Sequence, residues 1–500
     1  MKLNDFQFPN YVEEALRLLH DNNYKAYLVG GCIRDILLGI HPKDFDITTN
    51  ATPEQIKEVF KDYPIINPGG EKHGTVSIVF DEVIEITTFR KDSEYSDNRH
   101  PDKVEFVSSL DEDLARRDFT INAIAYDGKE LFDPFNGIND LENKILKTVN
   151  NAADRFNEDA LRILRGIRFA CKYNLSINDD TLNAMISLRC DLNNISKERI
   201  LKELNGMIIY EKFFNLMIET DLYKVLFTII PELSNTYKFS QKNKYHQHDL
   251  FNHLIYVCKY MIKNADNIVP ERYKKYMHLY LISGLLHDIG KYACFQIDCD
   301  DPNVLHFVGH PVKSYEMTLP ILDRLKYSNK DKEIISWIVL NHDTDYSLTN
   351  PKKTIKKLLS RMENSDNLEL RDIKMFGLFL IREGDKLDHN FMLPVTLNYI
   401  TNMANVTSYI VDNDIRYKIY VSTNDLLNIY YNLSDDDCFT LKDLEINGYD
   451  VMKLGFKNKS IGLVLNNVLN NVVNDRLKND KEEIITYIKN NEDIQKLKED

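Results

Sequence analysis

The 500-residue chain has no cysteine framework. Its seven cysteines, Cys32, Cys171, Cys190, Cys258, Cys294, Cys299 and Cys438, are scattered, odd in number and never spaced as CxxC. That pattern excludes a disulfide scaffold and a zinc ribbon, and reduced, buried thiols are expected instead. No apolar run approaches the ~18 residues that span a bilayer. The first residues, MKLNDFQFPN, do not show the basic-then-apolar order of a secretory signal. The expectation is a cytoplasmic protein with no membrane partner. Repeats and low-complexity tracts are missing as well. So is a basic excess: 63 Lys and Arg stand against 77 Asp and Glu, a net charge of −14. A nucleic-acid partner would therefore need its cations concentrated in one stripe, and binding would fall steeply with salt.

What is present is an ordinary globular composition, 43% hydrophobic and 28% charged, with room for two to four domains. Residues 11–22 read as an amphipathic helix. AYLVG at 26–30 reads as a strand, followed by Gly30-Gly31 and a helix that Gly39 closes. DFDITTN reads as a strand with acidic residues at its start. TPEQIKEVF reads as a helix with Thr52 as N-cap and Pro53 in its first turn. TVSIVF and VIEITTF alternate as strands around Asp81-Glu82, and the polar, punctuated segment 91–103 reads as a loop. The mixed pattern fades near residue 150, and helical periodicity dominates from there on, with a polar stretch at 234–249 read as a linker.

The first chemical signal is VGGCIRD followed by KDFDITTN. A strand that ends in two glycines and opens a helix leaves free N–H groups at the positive end of the helix dipole, a niche suited to phosphates. Asp44 and Asp46, two residues apart on a strand, leave one face together. Two carboxylates so close raise each other's pKa unless a cation sits between them. Mg2+ fits such a pair, and metals held there would favour in-line attack of a hydroxyl on an α-phosphate.

This combination resembles the nucleotidyltransferase superfamily, and within it the bacterial CCA-adding enzyme and poly(A) polymerase family. LVGGCIRDILLG with DFDITT, EITTFRKDSEYSDNRHPDKVEF, DLARRDFTINAIAYD, NEDALRILRGIRFA, ISKERILKEL and INGYDVMKLGFKNKSIG resemble six of its motifs in order. The resemblance implies roles. Asp44 and Asp46 would carry the catalytic metals. Gly30, Gly31 and Arg34 would hold the triphosphate, and Arg117 and Asp118 the sugar and phosphates. Asp159 and Arg162 would read the base, with Arg165 and Arg168 on the same helix face. A carboxylate accepts from an exocyclic amino group and a guanidinium donates to a ring nitrogen, so one Asp–Arg pair admits C and A while opposing U. Glu85 stays open between support of the metals and a buried strand position. The implied partners are tRNA, whose 3′-OH attacks, and CTP and ATP. The last of the six motifs favours CCA addition over poly(A) or partial addition, the alternatives within the family.

A second set of residues lies further along: His253, His287-Asp288 in GLLHDIGK, His310, His342 and Asp385 in REGDKLDHN. It resembles the HD superfamily of metal-dependent phosphohydrolases. Imidazole ligands suit Mn, Ni, Co or Fe better than Mg. Asp388 competes with Asp385 for the last ligand position, and Asp385 is the expectation. The substrates open to it are 2′,3′-cyclic phosphates, phosphomonoesters or damaged tRNA ends. A third reading, a phosphohydrolase whose N-terminal half merely binds nucleotides, has to explain why Asp44 and Asp46 are both kept. The expected fold is α+β. A nucleotidyltransferase α/β head (1–148) leads into a helical neck (149–240). An HD bundle (241–390) and a helical tRNA-binding body and tail (391–500) follow.

Overall fold

The computed structural model describes residues 6–66, 74–93, 103–242, 246–362, 367–390, 392–395, 409–412, 415–434 and 437–498. The chain divides into two compact units, Met1–Pro231 and Glu232–Asp500.

The first unit is built on a sheet of β1 (Ala26–Val29), β2 (Asp46–Thr49), β3 (Ile65–Ile66), β4 (Thr75–Val79), β5 (Val83–Thr88), β8 (Ala125–Tyr126) and β9 (Leu131–Phe132). A separate ribbon pairs β6 (Arg90–Ser93) with β7 (Lys103–Phe106). The main sheet runs in the order β3-β4-β5-β2-β1-β8-β9. Only β2 and β5 pair in parallel; the other neighbours are antiparallel. Period-2 alternation gives the sheet two faces. Leu28, Ile47, Ile84 and Ile86 point into a core with Val12, Leu16 and Leu19 of the helix Asn10–Asp21 and with Ile56 and Phe60. Val29 packs instead with Leu114, Ala123, Ala125 and Val149. The helix Pro53–Val59 starts as the sequence requires: Thr52 and Gln55 form a reciprocal capping box with Pro53 at the first position.

The expected loop at 91–103 is corrected at both ends. Residues 91–93 and Lys103 belong to the β6–β7 ribbon, in which Lys91 pairs with Glu105 and Ser93 with Lys103. Polar composition hid these strands, because ladder hydrogen bonds form without apolar side chains. The tip of that segment lies outside the described residues.

Helices Ala152–Glu158, Leu161–Lys172, Asp179–Ser187, Lys197–Ile208, Glu211–Glu219 and Tyr223–Ile229 complete the first unit. Leu161–Lys172 buries Ile163, Leu164, Ile167 and Ala170 and turns its arginines aside. Asn151 caps the helix before it by accepting from the Asp154 amide at 3.1 Å.

The second unit is mostly helical. Its core helices are Leu250–Ile268, Met277–Leu286, His310–Arg324, Asn329–Asn341, Pro351–Ser360 and Leu368–Asp388. Of the polar stretch expected as a linker, Thr236 and Gln241 are buried, and residues 243–245 lie outside the described residues. A second addition interrupts the expected helical C-terminal part. Met392–Val395 pairs in parallel with Ile415–Val421, which pairs antiparallel with Tyr409–Asp412. IRYKIYV has the β-branched and aromatic composition of a strand, but its partners are four residues each and carry little periodic signal. Beyond the sheet, the helices Gly448–Lys453, Lys459–Val473 and Lys481–Asn490 close over Val451, Phe456, Val464, Val468, Ile484 and Ile488. Among the described residues, no helix is long and apolar enough to cross a membrane.

Candidate active and metal sites

In the first unit, β1 ends at Gly30, whose φ of +78° is a conformation that only glycine adopts without strain. A Cβ there would also stand 3.0 Å from Nη1 of Arg117. Gly31 then opens the helix Gly31–Leu37. The strand expected to hold both aspartates begins only at Asp46, because β1 turns away into that helix and leaves nothing for Asp44 to pair with. The alternation nonetheless continues back through the approach segment: Asp44 and Asp46 are exposed and Phe45 between them is buried. Glu85 of β5 lies directly opposite Asp46 in the parallel register and is exposed, with Ile84 and Ile86 buried on either side. Three carboxylates thus gather at one edge of the niche. Loss of hydration at this crowded edge, and then the Asp44 carboxylate, push Asp46 up to about 6, with Arg117 pulling it down and Glu85 adding to the rise.

Arg117 is held by Asp113, which is fully buried and which sequence reasoning passed over. Asp113 also accepts from Arg116 at 2.8 Å and from the Thr48 hydroxyl at 3.1 Å, so it ties the Arg116-Arg117 pair to β2. Its position three residues before Arg116 on a short helix was the signal available. Asp118 takes the fork of Arg165 on one oxygen, at 2.8 and 2.9 Å, and the Asn122 amide on the other at 2.9 Å. Burial alone would raise Asp118, but Arg165 and Asn122 hold it down to about 2. Arg162 donates to Glu158 at 2.6 Å and to the Arg116 carbonyl at 3.0 Å. Asp159 accepts from Arg199 at 2.9 Å and from the Leu161 amide at 3.0 Å. Arg168 is turned to Glu203 at 2.5 Å. Arg34 is buried and its guanidinium is fully engaged by Asp35, Asn122 and Tyr173. The structure therefore brings Gly30, Gly31, Asp44, Asp46 and Arg117 around one niche. Asp118, Asp159, Arg162 and Arg165 form a second row on and against the helix Leu161–Lys172. Arg34 and Arg168 lie behind these groups.

The second unit gathers the other set. His253, His287, Asp288 and Asp385 offer ligand atoms within 4.8 Å of one another, and so do Asp288, His310 and His342. Asp288 belongs to both groups. Its Oδ2 lies 3.3 Å from Nε2 of His253 and of His287, and its Oδ1 lies 3.1 and 3.2 Å from Nε2 of His310 and His342. Asp385 Oδ1 completes the first group at 3.4 Å from His253. The imidazoles share one arrangement. Nδ1 of His287, His310 and His342 lies 2.7, 2.8 and 2.7 Å from the carbonyls of Gly284, Phe307 and Val339. Nδ1 of His253 lies 2.7 Å from Asp388. An N–H at each Nδ1 leaves every Nε2 lone pair aimed at the site, the tautomer that a metal requires. Nε2 of the buried His253 and His287 makes no hydrogen bond of good geometry with the described residues. Orphaned buried acceptors around a shared carboxylate fit two divalent ions. Gly290 follows the His-Asp pair because a Cβ there would meet the Ser314 amide at 2.5 Å.

A cavity of about 660 Å³ opens on these groups, and its walls include His246, Lys291, Phe307, Lys386, His389 and Lys418. None of these was singled out from sequence. Lys291 stands 2.5 Å from Asp288 and was within reach as the Lys of HDIGK, three residues on along the chain. His389 was within reach as the i+4 neighbour of Asp385. His246 and Lys418 come from a strand-like bridge and from the late sheet, and no local spacing marks them.

Comparison with known families agrees with this geometry. Residues 26–147 match the poly A polymerase head domain and residues 250–374 the HD domain. Residues 174–236 match the probable RNA and SrmB-binding site of polymerase A, and residues 328–488 the putative tRNA nucleotidyltransferase domain 2. One segment of the chain thus matches a nucleotidyltransferase head of the poly A polymerase family and another an HD domain, and both of those families are metal-dependent. Among curated relatives, the CCA-adding enzyme of Staphylococcus epidermidis is 45% identical over 197 residues, which are 39% of this chain and 48% of the relative. That of Oceanobacillus iheyensis is 47% identical over 194 residues, 38% of this chain and 48% of the relative. The chain spans about half the length of the curated relatives it matches. In fold, it is similar to the Bacillus stearothermophilus CCA-adding enzyme in complex with CTP, with a TM-score of 0.61 at 23% identity over 98% of this chain and 99% of that one. It is also similar to the Thermotoga maritima CCA-adding enzyme complexed with tRNA, with a TM-score of 0.56 at 18% identity over 97% of this chain and 96% of that one.

Proposed function

We propose that the chain adds C, C and A to the 3′ end of tRNA from CTP and ATP, without a template, in the cytoplasm. The observation that carries this reading is the row of Asp44, Asp46 and Glu85 beside the Gly30–Gly31 niche, in one compact unit with the helix that bears Arg162 and Arg165. The relatives matched over about 200 residues of the chain are CCA-adding enzymes, and solved structures of that fold hold CTP, ATP or tRNA. Segments 1–148, 149–240, 241–390 and 391–500 would serve as head, neck, HD domain and tRNA-gripping body.

Asp44 and Asp46, with Glu85 beside them, would hold Mg2+. When bound, the ion neutralises phosphate charge and makes the 3′-hydroxyl of the tRNA a better nucleophile. The Gly30 and Gly31 region offers backbone amides to the triphosphate, and Arg117, set by Asp113, supplies a cation over the same niche. Asp118 and Arg165 fix the sugar side. Asp159 and Arg162 present an acceptor and a donor to the base edge. The hydroxyl attacks the α-phosphate in line, pyrophosphate leaves, and the chain is one nucleotide longer. Incubating the protein with Mg2+, CTP, ATP and a tRNA transcript that lacks CCA, then sequencing the 3′ ends, tests the reading. Ends that stop at CCA are expected; long A tails would move the protein to poly(A) addition, and unextended ends would refute the transferase reading.

A second activity is favoured by the histidine–aspartate cavity. His253, His287, Asp288 and Asp385, with His310 and His342, would hold two ions of the Mn, Ni, Co or Fe type beside Lys291, Lys386 and Lys418. Such a pocket suits hydrolysis of a phosphate ester, with the lysines taking the anionic oxygens. His287→Ala should abolish metal-dependent release of p-nitrophenol from bis-p-nitrophenyl phosphate; undiminished release would refute it.

A further inference from the structure

A buried polar circuit in the first unit starts and ends on the helix Leu161–Lys172. Arg165 donates both nitrogens of its fork to Asp118. The other Asp118 oxygen accepts from Asn122 Nδ2 at 2.9 Å, and Asn122 Oδ1 accepts from Arg34 Nη1 at 2.5 Å. Arg34 Nη2 reaches the Tyr173 hydroxyl at 2.6 Å, and Asp35 Oδ1 accepts from Arg34 Nε at 2.9 Å and from that hydroxyl at 2.8 Å. The Arg34 guanidinium also lies over the rings of Phe169 and Tyr173, 5.1 and 4.5 Å from their centroids. Arg165, Phe169 and Tyr173 recur every fourth residue, so one stripe of the helix and its C-cap faces the circuit.

This arrangement is costly unless every member is satisfied. Arg34, Asn122 and Asp118 are 5, 6 and 8% exposed, and each has its partners. Arg162 stands at the opposite end of this helix from Tyr173, and Asp159, just before that end, accepts from the Leu161 amide. Twelve residues at 1.5 Å each make a lever of about 18 Å, so a tilt of about 5° at the Tyr173 end moves the other end by about 1.5 Å. A shift of that size is enough to spoil a hydrogen-bonded reading pair.

We propose that Asn122 and Tyr173 are positioning residues that, through their bonds to Arg34 and Asp118, fix the angle of this helix over the catalytic sheet and thereby set base selectivity without themselves touching the nucleotide. The inference rests on the transferase reading above. It gives Asn122 and Tyr173 a role in the reaction.

The test compares wild type with Tyr173→Phe, which keeps the ring over Arg34 and removes only the hydroxyl, and with Asn122→Ser, which breaks the circuit at another point. Two quantities are read: kcat/KM for CTP and for UTP on a tRNA lacking CCA, and deuterium uptake of amides 161–172. Loss of one buried, charge-assisted hydrogen bond should lower the CTP-over-UTP preference by about fivefold or more, and uptake in the helix should quicken. A purely structural role would slow both nucleotides equally and leave the ratio intact; an unchanged ratio in both variants of an active protein, or unchanged uptake in both, overturns the proposal. Wild type that incorporates no CTP overturns the transferase reading instead, and uptake then still reports whether the circuit holds the helix.

Discussion

Nδ1 of His253 stands 2.7 Å from Oδ2 of Asp388, while Nε2 of the same ring stands 3.4 Å from Asp385. The two aspartates at 385 and 388 therefore divide the work: one faces the ligand group and the other holds its histidine from behind. Outer-shell partners of this kind fix the tautomer and raise ligand basicity. Asp388→Ala should weaken binding of Mn2+ or Ni2+ by about 10- to 100-fold, measured by calorimetry on metal-stripped protein. Affinity equal to wild type would show that Asp388 only fills space.

Metal loading should release protons. Burial alone would lower His253, but the carboxylates of Asp288, Asp385 and Asp388 around its ring raise it to about 10, and Asp288 raises His287 as well. Without metal, His253 is therefore protonated at neutral pH, and an incoming ion must displace that proton. Titrating Ni2+ into weakly buffered protein at pH 7.5 with an indicator dye should show about one proton or more per chain, and affinity should fall as pH falls. The metal-free protein has a further signature. A folded pKa above the ordinary 6.5 gives stability that is full below 6.5 and is lost as pH rises through about 10. Its Tm should therefore drop between pH 7 and 10, and a flat profile would contradict the protonated ring.

The carboxylates of the head give the opposite test. Asp46 is raised to about 6 from the ordinary 3.8, first by loss of hydration and then by Asp44. Below pH 6 it holds a proton that a cation must displace, so nucleotide incorporation at low Mg2+ should rise with pH through about 6. Raising Mg2+ should move that limb to lower pH, because the ion takes over the charge of the neighbouring carboxylates. A limb that ignores Mg2+ would assign the titration to another group. Asp44→Ala should cut incorporation of CTP by about a thousandfold or more, since on the proposed reading it removes a ligand of the ion that would stabilise the attacking and leaving oxygens.

Much of this was legible in the sequence, and the reasons differ by element. The Gly30–Gly31 turn, the Thr52 cap and the helix Leu161–Lys172 follow from local rules, and local rules are readable in one chain. Asp44 and Asp46 were legible as a spacing, but the true start of β2 was not, because it depends on where β1 leaves the sheet. Glu85 could not be settled: VIEITT alternates either way, and only the parallel register with β2 puts Glu85 opposite Asp46. The histidines and aspartates of the second unit were legible as motifs. Their organisation around one shared Asp288 was not, since it joins residues on or at the ends of five helices far apart in sequence. The β6–β7 ribbon and the sheet that contributes Lys418 were hidden for the same reason: strand pairing is a long-range property with weak local signal.

Asp159, proposed above to read the base, is itself held by two partners. Asp159 ends the helix Ala152–Glu158, and its Oδ1 takes the Leu161 amide at 3.0 Å, which leaves Oδ2 to Arg199 at 2.9 Å from the helix Lys197–Ile208. Arg199 is itself only partly exposed, so the pair is worth more than a surface ion pair, in the range of a charge-assisted hydrogen bond. Removing Arg199 frees the carboxylate to rotate, and Asp159 then meets the exocyclic amino group of C or A in several orientations instead of one. Arg199→Ala should lower the preference for CTP over UTP by about tenfold, while Asp159→Ala should remove most of it. Combining the two should add nothing, because both act through the same carboxylate. Steady-state kcat/KM for the two nucleotides, measured on all three variants, checks this. Additive losses in the double variant would mean that Arg199 reaches the base by a route of its own.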